Sequence, residues 1–414
     1  MKAKIGILSL GCARNLVDSE GILGRLRSKG HEIVDLKDAD VAIVNTCAFV
    51  EDAKKESIDA ILDVIELKRK GKIKKIIVHG CLSQRYKDEL RKELSEVDAF
   101  VGKVALDPGL DRFPIAARHY AYLKICEGCV NNCSFCIIPK IKGRFTSLDE
   151  SLILRKVRQF GKDKLSELNI IGQDITGYGI DQGGKPRLEA LLRDLLKNAQ
   201  GIGWIRLLYL NPERVTDELL GIIREAPKIC KYIDLPIQHI NDRILRLMKR
   251  GSKKKDIAAL VHKIRKAIPG VALRTSVIVG FPTETDKEFK ELVSFIEDTG
   301  FERLGAFIYS REEGTAAYSM KGQIPRKIKD KRFDAVMSVQ QKVSRQVNLR
   351  LMGKIIDVLI DETKDECYLG RSRFDAPEVD GMVYVNSAKL LKPGDFVKVR
   401  VTDTLEYDLV GETV

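Results

Sequence analysis

Six apolar runs of strand length alternate with helix-length stretches through residues 118–340, and this alternation constrains the fold more than any other feature. Successive parallel strands need a long crossover, normally a helix, so repeated strand–helix units predict a parallel sheet. Six such units are too few to close an eight-stranded barrel. We therefore predict a partial TIM-like (β/α)6 barrel, open on one side, with strands in the runs 121–125, 168–173, 204–210, 232–237, 273–279 and 304–309.

The segments on either side of the barrel predict two further domains. Residues 1–110 also alternate between strand and helix patterns, which predicts a small open parallel α/β sheet. Residues 345–414 carry short β-patterned runs separated by glycines, which predicts a small β-barrel, and a Lys-rich helical stretch at 325–350 precedes it. The fold class is therefore α/β, with predicted domains at 1–110, 118–340 and 345–414.

The spacing of three cysteines predicts a metal site in the barrel. The run C-x3-C-x2-C lies in the loop after the first predicted barrel strand, at the face where barrel active sites form. Three thiolates are one too few to close a zinc site or to ligate every iron of a 4Fe–4S cube. A zinc knuckle or unrelated thiols are the alternatives, but no Cys or His follows at zinc-ribbon spacing. This loop triplet, Cys129, Cys133 and Cys136, therefore predicts a cluster whose open iron chelates a small molecule.

Three further cysteines each follow a predicted strand of the N-terminal sheet. We call Cys12, Cys47 and Cys81 the strand-end triplet. A single small cysteine often packs as a buried hydrophobe, and that alternative applies to each one taken alone. Parallel strands place their C-terminal ends along one edge of a sheet, so the three thiols are expected to converge. The hypothesis is a second iron–sulfur cluster, again with an open iron; the remaining thiols, Cys126, Cys230 and Cys367, are predicted to be structural.

Charge and cysteine usage indicate the setting of the protein. The net charge is +13, but residues 355–414 carry seven Lys and Arg against thirteen Asp and Glu, so the rest of the chain holds +19. Nine cysteines, an odd number, argue for a reducing compartment and against a disulfide framework. No apolar run is long enough to span a bilayer, and the short run before Cys12 is interpreted as a buried strand, not a lipoprotein signal. We expect a cytoplasmic protein without membrane contacts.

Taken together, the strand-end triplet, the loop triplet with its aromatic before the last Cys, and the terminal β-barrel resemble the radical S-adenosylmethionine (SAM) methylthiotransferases. The resemblance covers essentially the whole chain. It implies an N-terminal cluster-binding domain, a radical SAM core and a C-terminal TRAM domain. It also implies two 4Fe–4S clusters: the one on the loop triplet binds SAM and generates a radical, with electrons from a low-potential donor. The one on the strand-end triplet carries the sulfur that is methylated and inserted, while the donor of that sulfur stays open.

The family has two branches that differ in substrate, and the chain could belong to either one. One modifies adenosine in tRNA, and the other modifies the β-carbon of an aspartate in the twelfth small-subunit ribosomal protein. The second branch is similar in LGCARNLVDSE (10–20), NTCAFVEDAKKESI (45–58), GCLSQRY (80–86), LPIQHINDRIL (235–245), LGAFIYSREEGT (304–315) and DAPEVDG (375–381). An acidic terminal segment also suits a very basic protein better than tRNA. We predict the ribosomal-protein branch; a tRNA enzyme and a non-catalytic iron–sulfur RNA-binding or sensor protein are the alternatives.

Polar residues near the ends of predicted barrel strands are candidates for binding SAM. Any one of them is as often a satisfied packing residue. Arg274 is predicted to contact the SAM carboxylate, and Gly280 suits a close approach of backbone to adenine. Thr283 stands where the family usually has Gly in its GFPGET turn, so the geometry of that turn is open. The full candidate set is Gln173, Asp174, Gln238, Arg274, Ser276 and Gly280.

Overall fold

The protein, a computed structural model, is described over residues 2–103 and 112–414, so the predicted domain end at residue 110 lies outside the described residues. Two compact units are present. The first holds the described residues up to Ala116 together with Tyr122–Lys156 and Ser310–Tyr318, and the second holds Ala117–Ala121, Val157–Tyr309 and Ser319–Val414. The start of the barrel segment, including the loop triplet, therefore belongs to the first unit. The division into three domains stays a prediction.

A five-stranded parallel sheet forms the N-terminal part of the first unit, as predicted. Its order is β2-β1-β3-β4-β5, so β1, β3 and β4 are consecutive neighbours. The central strands are buried on both faces, with Val44 and Val78 fully inaccessible, as expected for strands covered by helices. The elements are β1 Lys4–Ser9, α1 Ala13–Ser28, β2 Glu32–Ile33, β3 Val41–Thr46, α2 Glu51–Arg69, β4 Lys75–Gly80, α3 Cys81–Glu93 and β5 Ala99–Val101.

The six predicted barrel strands are all present, as β6, β9, β10, β11, β12 and β13, and they form two three-stranded sheets ordered β10-β9-β6 and β11-β12-β13. The observed strands are β6 Tyr120–Lys124, β7 Cys126–Glu127, β8 Thr146–Ser147, β9 Glu167–Ile171, β10 Trp204–Leu207, β11 Tyr232–Asp234, β12 Ala272–Val279 and β13 Arg303–Ile308. The helices are α4 Ile138–Lys142, α5 Glu150–Lys162, α6 Ile180–Gly183, α7 Leu188–Asn198, α8 Asp217–Glu225, α9 Asp242–Leu247, α10 Lys254–Ala267 and α11 Asp286–Thr299.

Five of these strands stop earlier than predicted, and two of them stop three residues early. The run 204–210 gives a strand only to Leu207, and the run 232–237 gives one only to Asp234. Beyond these ends the backbone turns left-handed, with φ +65° at Tyr209 and +69° at Gln238. A positive φ is incompatible with the extended conformation of a strand, and apolar periodicity does not reveal it.

A closed five-stranded barrel ends the chain, as predicted, after the long helix α12 Arg326–Leu349. The strand order is β14-β15-β16-β18-β17, with β14 Ile355–Thr363, β15 Tyr368–Ser372, β16 Val383–Asn386, β17 Phe396–Thr404 and β18 Leu409–Thr413. Alternate residues such as Val358 and Ile360 point into its apolar core. Single 3-10 turns lie at Leu36–Asp38, Ile175–Gly177, Pro212–Arg214 and Ala316–Ser319. Every helix of the described chain is too short or too polar to cross a bilayer.

A buried series of alternating charges attaches the terminal barrel to β9 and β10 within the second unit. Glu167 lies between two guanidiniums, 2.8 Å from Arg206 and 2.6 Å from Arg371. Arg371 also contacts Asp361 at 2.7 Å, and Asp361 in turn contacts His119 at 2.7 Å. Burial acts to raise the pKa of Glu167, but the charges of Arg371 and Arg206 outweigh it and lower that pKa. The carboxylate therefore stays ionised in the core of the second unit.

We predict that E167Q destabilises the second unit by about 3–5 kcal/mol, because two buried guanidiniums lose their shared counter-charge. Urea unfolding followed by the fluorescence of Trp204, the single tryptophan, measures this directly. Trp204 is a local reporter because its ring packs 4.9 Å from that of Phe396 in the terminal barrel. The control is E218Q, which removes an exposed pair with Arg193 and is expected to cost less than about 1 kcal/mol.

The same pair of proteins tests the sign of the pH dependence. A lowered pKa in the folded state gives stability that is present above the unfolded pKa and is lost as the pH falls through the folded pKa. The gap between wild type and E167Q should therefore be full above about pH 5 and shrink as the pH drops below about 4. A gap that stays constant down to acid pH would show that Glu167 is not held ionised by its arginines.

Candidate functional site

The strand-end triplet assembles at one edge of the N-terminal sheet. Ser9 pairs in register with Asn45, and Thr46 pairs with Gly80, so β1, β3 and β4 end side by side. Each cysteine follows within three residues of its strand end. Gly11 has φ +87°, and a Cβ there would lie 2.8 Å from the Cβ and 3.1 Å from the Sγ of Cys47. Only glycine permits this approach of the first loop to the second cysteine.

Asn15, in the first turn of α1, ties the three cysteine-bearing loops together. Its Nδ2 donates to the carbonyl of Leu10 at 2.9 Å and to that of Thr46 at 3.1 Å. Its Oδ1 lies 4.0 Å from the Sγ of Cys81. One buried side chain thus contacts the ends of β1 and β3 and the thiol that follows β4. The sequence analysis missed Asn15. The available signal was its position inside the run 10–20, about one helical turn after Cys12.

The thiols of the strand-end triplet differ in acidity. Burial acts to raise the pKa of Cys12, but the charge of Arg14 and hydrogen bonds from nearby backbone amides outweigh it and lower that pKa. Burial raises the pKa of Cys47 and raises that of Cys81 to about 12. Because a thiolate, and not a thiol, ligates a metal, Cys12 is the ligand that ionises most readily.

The loop triplet lies in the same compact unit, between β7 and α4. The amide of Cys136 donates to the carbonyl of Cys133 at 3.1 Å, which curls the loop around its sulfurs. Both nitrogens of Asn131 approach the Sγ of Cys129, the backbone N at 3.5 Å and Nδ2 at 3.3 Å. Burial raises the pKa of Cys136 to about 12, while the charge of Arg14 acts to lower it. Arg14 therefore acts on cysteines of both triplets.

The donor set fits iron–sulfur clusters. None of the six described cysteines is in a disulfide, and two N–H groups of Asn131 approach the sulfur of Cys129, as N–H groups do where hydrogen bonds tune a cluster. In the described part of the chain, no group of three or more Cys, His, Asp or Glu is arranged to hold a single metal ion. Cysteines that bind a cluster ligate separate irons, so each triplet suits a cluster with one iron left without a protein ligand.

The other three cysteines lie apart from these sites. Cys126 and Cys230 are fully buried, and Cys367 is half-buried in the terminal barrel. Cys126 belongs to the short strand β7, which pairs with β8 through Ser147. None of these three described cysteines is in a disulfide, and their structural roles stay predictions.

Among the candidates for SAM, Asp174 and Arg274 already have strong partners. Asp174 caps the turn Ile175–Gly177 and forms an ion pair with Arg214. Arg274 lies 3.1 Å from Asp234 and 3.3 Å from Asp380 of the terminal barrel. Two carboxylates thus engage the guanidinium that was predicted to contact the carboxylate of SAM. Its predicted role in SAM binding is untested, and so is that of Gln173, which follows β9 by two residues.

The remaining candidates lie along β12 and the turn after it. The amide of Gln238 donates to the carbonyl of Ser276 at 2.9 Å, so this loop adds to the β12 edge beyond β11. Gly280 has φ +72°, and its amide donates to the carboxylate of Glu284 at 2.5 Å. Glu284 also contacts His239 at 3.1 Å. One buried carboxylate therefore fixes the two segments that hold Gln238 and Gly280, a role that the sequence analysis missed.

The structure shows how Thr283 is accommodated where the GFPGET pattern has glycine. Its φ is +66°, the left-handed conformation in which glycine is the least strained residue. Arg243 bonds to this residue twice, and only the bond to the threonine hydroxyl is one that glycine lacks. Arg243 donates to its Oγ1 at 3.0 Å and to its carbonyl at 2.7 Å. The left-handed turn is therefore present, with a side-chain hydrogen bond that offsets part of its strain.

Comparison with family models divides the chain into three matched segments. Residues 4–102 match uncharacterized protein family UPF0004, residues 123–296 match the radical SAM superfamily, and residues 352–414 match the TRAM domain. The first segment contains the strand-end triplet, and the second contains the loop triplet.

Curated proteins match along nearly the whole length. The ribosomal protein uS12 methylthiotransferase RimO of Caldanaerobacter subterraneus subsp. tengcongensis is 48% identical over 99% of this chain and 99% of that protein. The RimO proteins of Thermoanaerobacter sp. and Clostridioides difficile are 46% and 44% identical, each over 99% of both chains.

Solved structures share the fold at much lower identity. The radical SAM methyltransferase TsrM from Kitasatospora setae has a TM-score of 0.53 at 13% identity, covering 74% of this chain and 73% of that one. The cobalamin-dependent SAM radical enzyme OxsB has a TM-score of 0.50 at 12% identity, covering 81% of this chain and 56% of that one.

We predict that removing any one thiol of either triplet, as in C81A or C133A, lowers the iron content of the anaerobically reconstituted protein to about half. Each triplet is expected to bind one of two four-iron clusters, so one lost ligand removes about half of the iron. Iron and acid-labile sulfide analysis measures the loss. The control is C367S, a free and half-buried thiol outside both triplets, which should keep full iron. Full iron in C81A would rule out a cluster at the strand ends.

We predict that T283G is more stable than T283A by about 1 kcal/mol in urea unfolding, because both lack the hydroxyl but only glycine relaxes the positive φ. The matched control is the same pair of changes at Lys290, an exposed site inside α11. There alanine should be more stable than glycine by about 1 kcal/mol, since helix propensity decides. The same order at both sites would contradict a strained turn at Thr283.

Proposed function

This chain belongs to the RimO family of ribosomal protein uS12 methylthiotransferases, and we propose that it transfers a methylthio group to uS12. The acceptor is the β-carbon of an aspartate. The observation that carries the proposal is the identity of 44 to 48% to RimO proteins over 99% of the chain, with both cysteine triplets lying in one compact unit. The enzyme is a radical SAM methylthiotransferase with two 4Fe–4S clusters.

The proposed roles of the two triplets follow from their surroundings. The β C–H group of aspartate is far too weakly acidic for a side-chain base to deprotonate, so the reaction needs radical chemistry from a cofactor. When bound, the two clusters supply the one-electron reduction of SAM and the sulfur for insertion. Cys129, Cys133 and Cys136 hold the first cluster, and the strand-end triplet holds the second. Asn131 and Asn15 orient the sulfurs, and the burial of Cys47 and Cys81 limits the access of water and oxygen to those two thiols.

The SAM molecule is proposed to bind along β12. Gln238 and Ser276 offer polar groups next to each other, and the backbone of the left-handed Gly280 is proposed to approach the adenine, while the side chain of Lys329 packs where a Cβ of residue 280 would lie. Gln173, Asp174 and Arg274 complete the proposed set. Because Arg274 contacts Asp234 and Asp380, its charge is largely balanced within the protein, and we give it the role of orienting this edge.

The terminal barrel is proposed to dock the basic ribosomal protein. Part of its acidic excess is internal, since Asp361, Asp375 and Asp380 form ion pairs with arginines. Its exposed side chains still include eight acids against five bases, so the surface keeps a negative sign. A negative surface repels tRNA phosphates and attracts a Lys- and Arg-rich protein. We propose that the enzyme modifies uS12 in the cytoplasm and uses a low-potential electron donor and a separate sulfur source.

The test offers two substrates to anaerobically reconstituted protein with SAM and a reductant. One is a uS12 peptide that carries the aspartate loop, and the other is an isopentenylated tRNA anticodon arm; mass spectrometry reads both. We expect a methylthio mass gain on the peptide alone, and none with C81A, which lacks a ligand of the strand-end triplet. A gain on the RNA alone would assign the chain to the tRNA branch. No gain on either, with a reduced cluster spectrum that SAM leaves unchanged, would favour a non-catalytic protein.

A further inference from the structure

Two lysines and two carboxylates form a closed ring of charges inside the first unit. Lys124 Nζ contacts Asp18 Oδ1 and lies 2.5 Å from Glu127 Oε2. Lys142 Nζ lies 3.0 Å from Glu127 Oε1 and 3.6 Å from Asp18 Oδ2. The side chains of Lys124, Glu127 and Lys142 are at most 8% exposed, and that of Asp18 is 20% exposed. Each ammonium thus faces both carboxylates, and the four charges cancel.

Three members of this ring bracket the loop triplet. Lys124 ends β6, Glu127 stands in β7 two residues before Cys129, and Lys142 ends α4, which begins two residues after Cys136. Their side chains therefore hold the entry and the exit of the cysteine loop against each other. The fourth member, Asp18, comes from α1, a separate element that begins directly after Cys12.

The same face of α1 is fixed to the strand-end triplet. Asn15, three residues before Asp18, bonds to the loops of Cys12 and Cys47 and approaches the thiol of Cys81. Ser19, next to Asp18, donates to Ser9 and accepts from Asn45, each at 2.8 Å. Within about one helical turn, α1 thus contacts both the ends of the three strands and the ring of charges.

We propose that Asp18 is a positioning residue that sets the separation between the two cysteine triplets. The proposal rests on the function proposed above, in which sulfur held at the strand-end triplet must reach a substrate radical formed beside the loop triplet. The half-buried carboxylate of Asp18 resists displacement from the two buried ammoniums, because its departure leaves an excess of positive charge among largely buried groups. Such a link keeps two sites at a fixed distance more rigidly than apolar contacts that slide.

The test variant is D18N/K124M. The single change D18N leaves two buried ammoniums with one carboxylate, which risks misfolding and not only misplacement. The double variant removes one charge of each sign and keeps the pair Lys142–Glu127, both members of which flank the loop triplet. The control is D98N, which removes the 2.6 Å pair between Asp98 and Lys68 of α2 in the same unit.

Three measurements separate positioning from folding. Iron content and the rate of SAM cleavage report whether each cluster forms and reacts. Electron paramagnetic resonance of the reduced protein reports the magnetic interaction between the two clusters, which depends on their separation. We expect D18N/K124M to keep wild-type iron and SAM cleavage, to show a changed magnetic interaction, and to lose about 100-fold in methylthio transfer. D98N should match wild type in these three measurements and in methylthio transfer.

The opposite results overturn the proposal. Unchanged transfer and an unchanged magnetic interaction in D18N/K124M would show that Asp18 does not set the separation. Loss of iron in this charge-balanced variant would show that the ring only holds the fold together. If the wild-type protein fails to modify uS12, the proposed function falls. A changed magnetic interaction in the variant would still support the positioning role, so the two failures are distinguishable.

Discussion

The shared edge of three neighbouring parallel strands is the constraint on which this site depends. Cysteines 12, 47 and 81 are far apart in sequence, and nothing local brings them together. The order β1-β3-β4 does so, because each crossover returns the chain to the same side before the next strand begins. Once three strand ends meet, a single helix that starts at the first of them is able to contact all three, as Asn15 does.

Buried ion pairs join separate segments of the chain within each of the two units. Within the second unit, buried arginines alternate with carboxylates from the terminal barrel, so that Glu167 and Asp375 each neutralise cationic groups of the other segment. In the first unit, a ring of four charges joins α1 to the flanks of the loop triplet. Such pairs add little net stability over apolar packing, but a shift that separates the partners is strongly destabilising because it leaves a buried charge without its counter-charge. They therefore suit places where the relative position of two segments matters.

Sequence reasoning recovered the features that depend on periodicity and spacing. The parallel sheet, the six strands of the middle segment and the closed terminal barrel follow from patterns of apolar residues, and the convergence of Cys12, Cys47 and Cys81 follows from which residues end strands. It did not recover partners across space. Arg274 was predicted to contact the carboxylate of SAM, and the sequence did not reveal its partners within the protein. Asp234 and Asp380 both form ion pairs with it, and Asp380 lies more than a hundred residues away. Thr283 showed a departure from a pattern, but only the backbone revealed its positive φ.

The charge ring also bears on how such a chain is divided or recombined. A cut between the N-terminal sheet and the barrel separates Asp18 from its two lysine partners and leaves those lysines facing one glutamate beside the loop triplet. A barrel transplanted onto another N-terminal sheet inherits that excess positive charge unless the new first helix supplies a carboxylate at the matching turn. The two segments are therefore separate in sequence, but their buried charges depend on each other. We expect that functional chimeras of related enzymes keep a carboxylate at the position of Asp18.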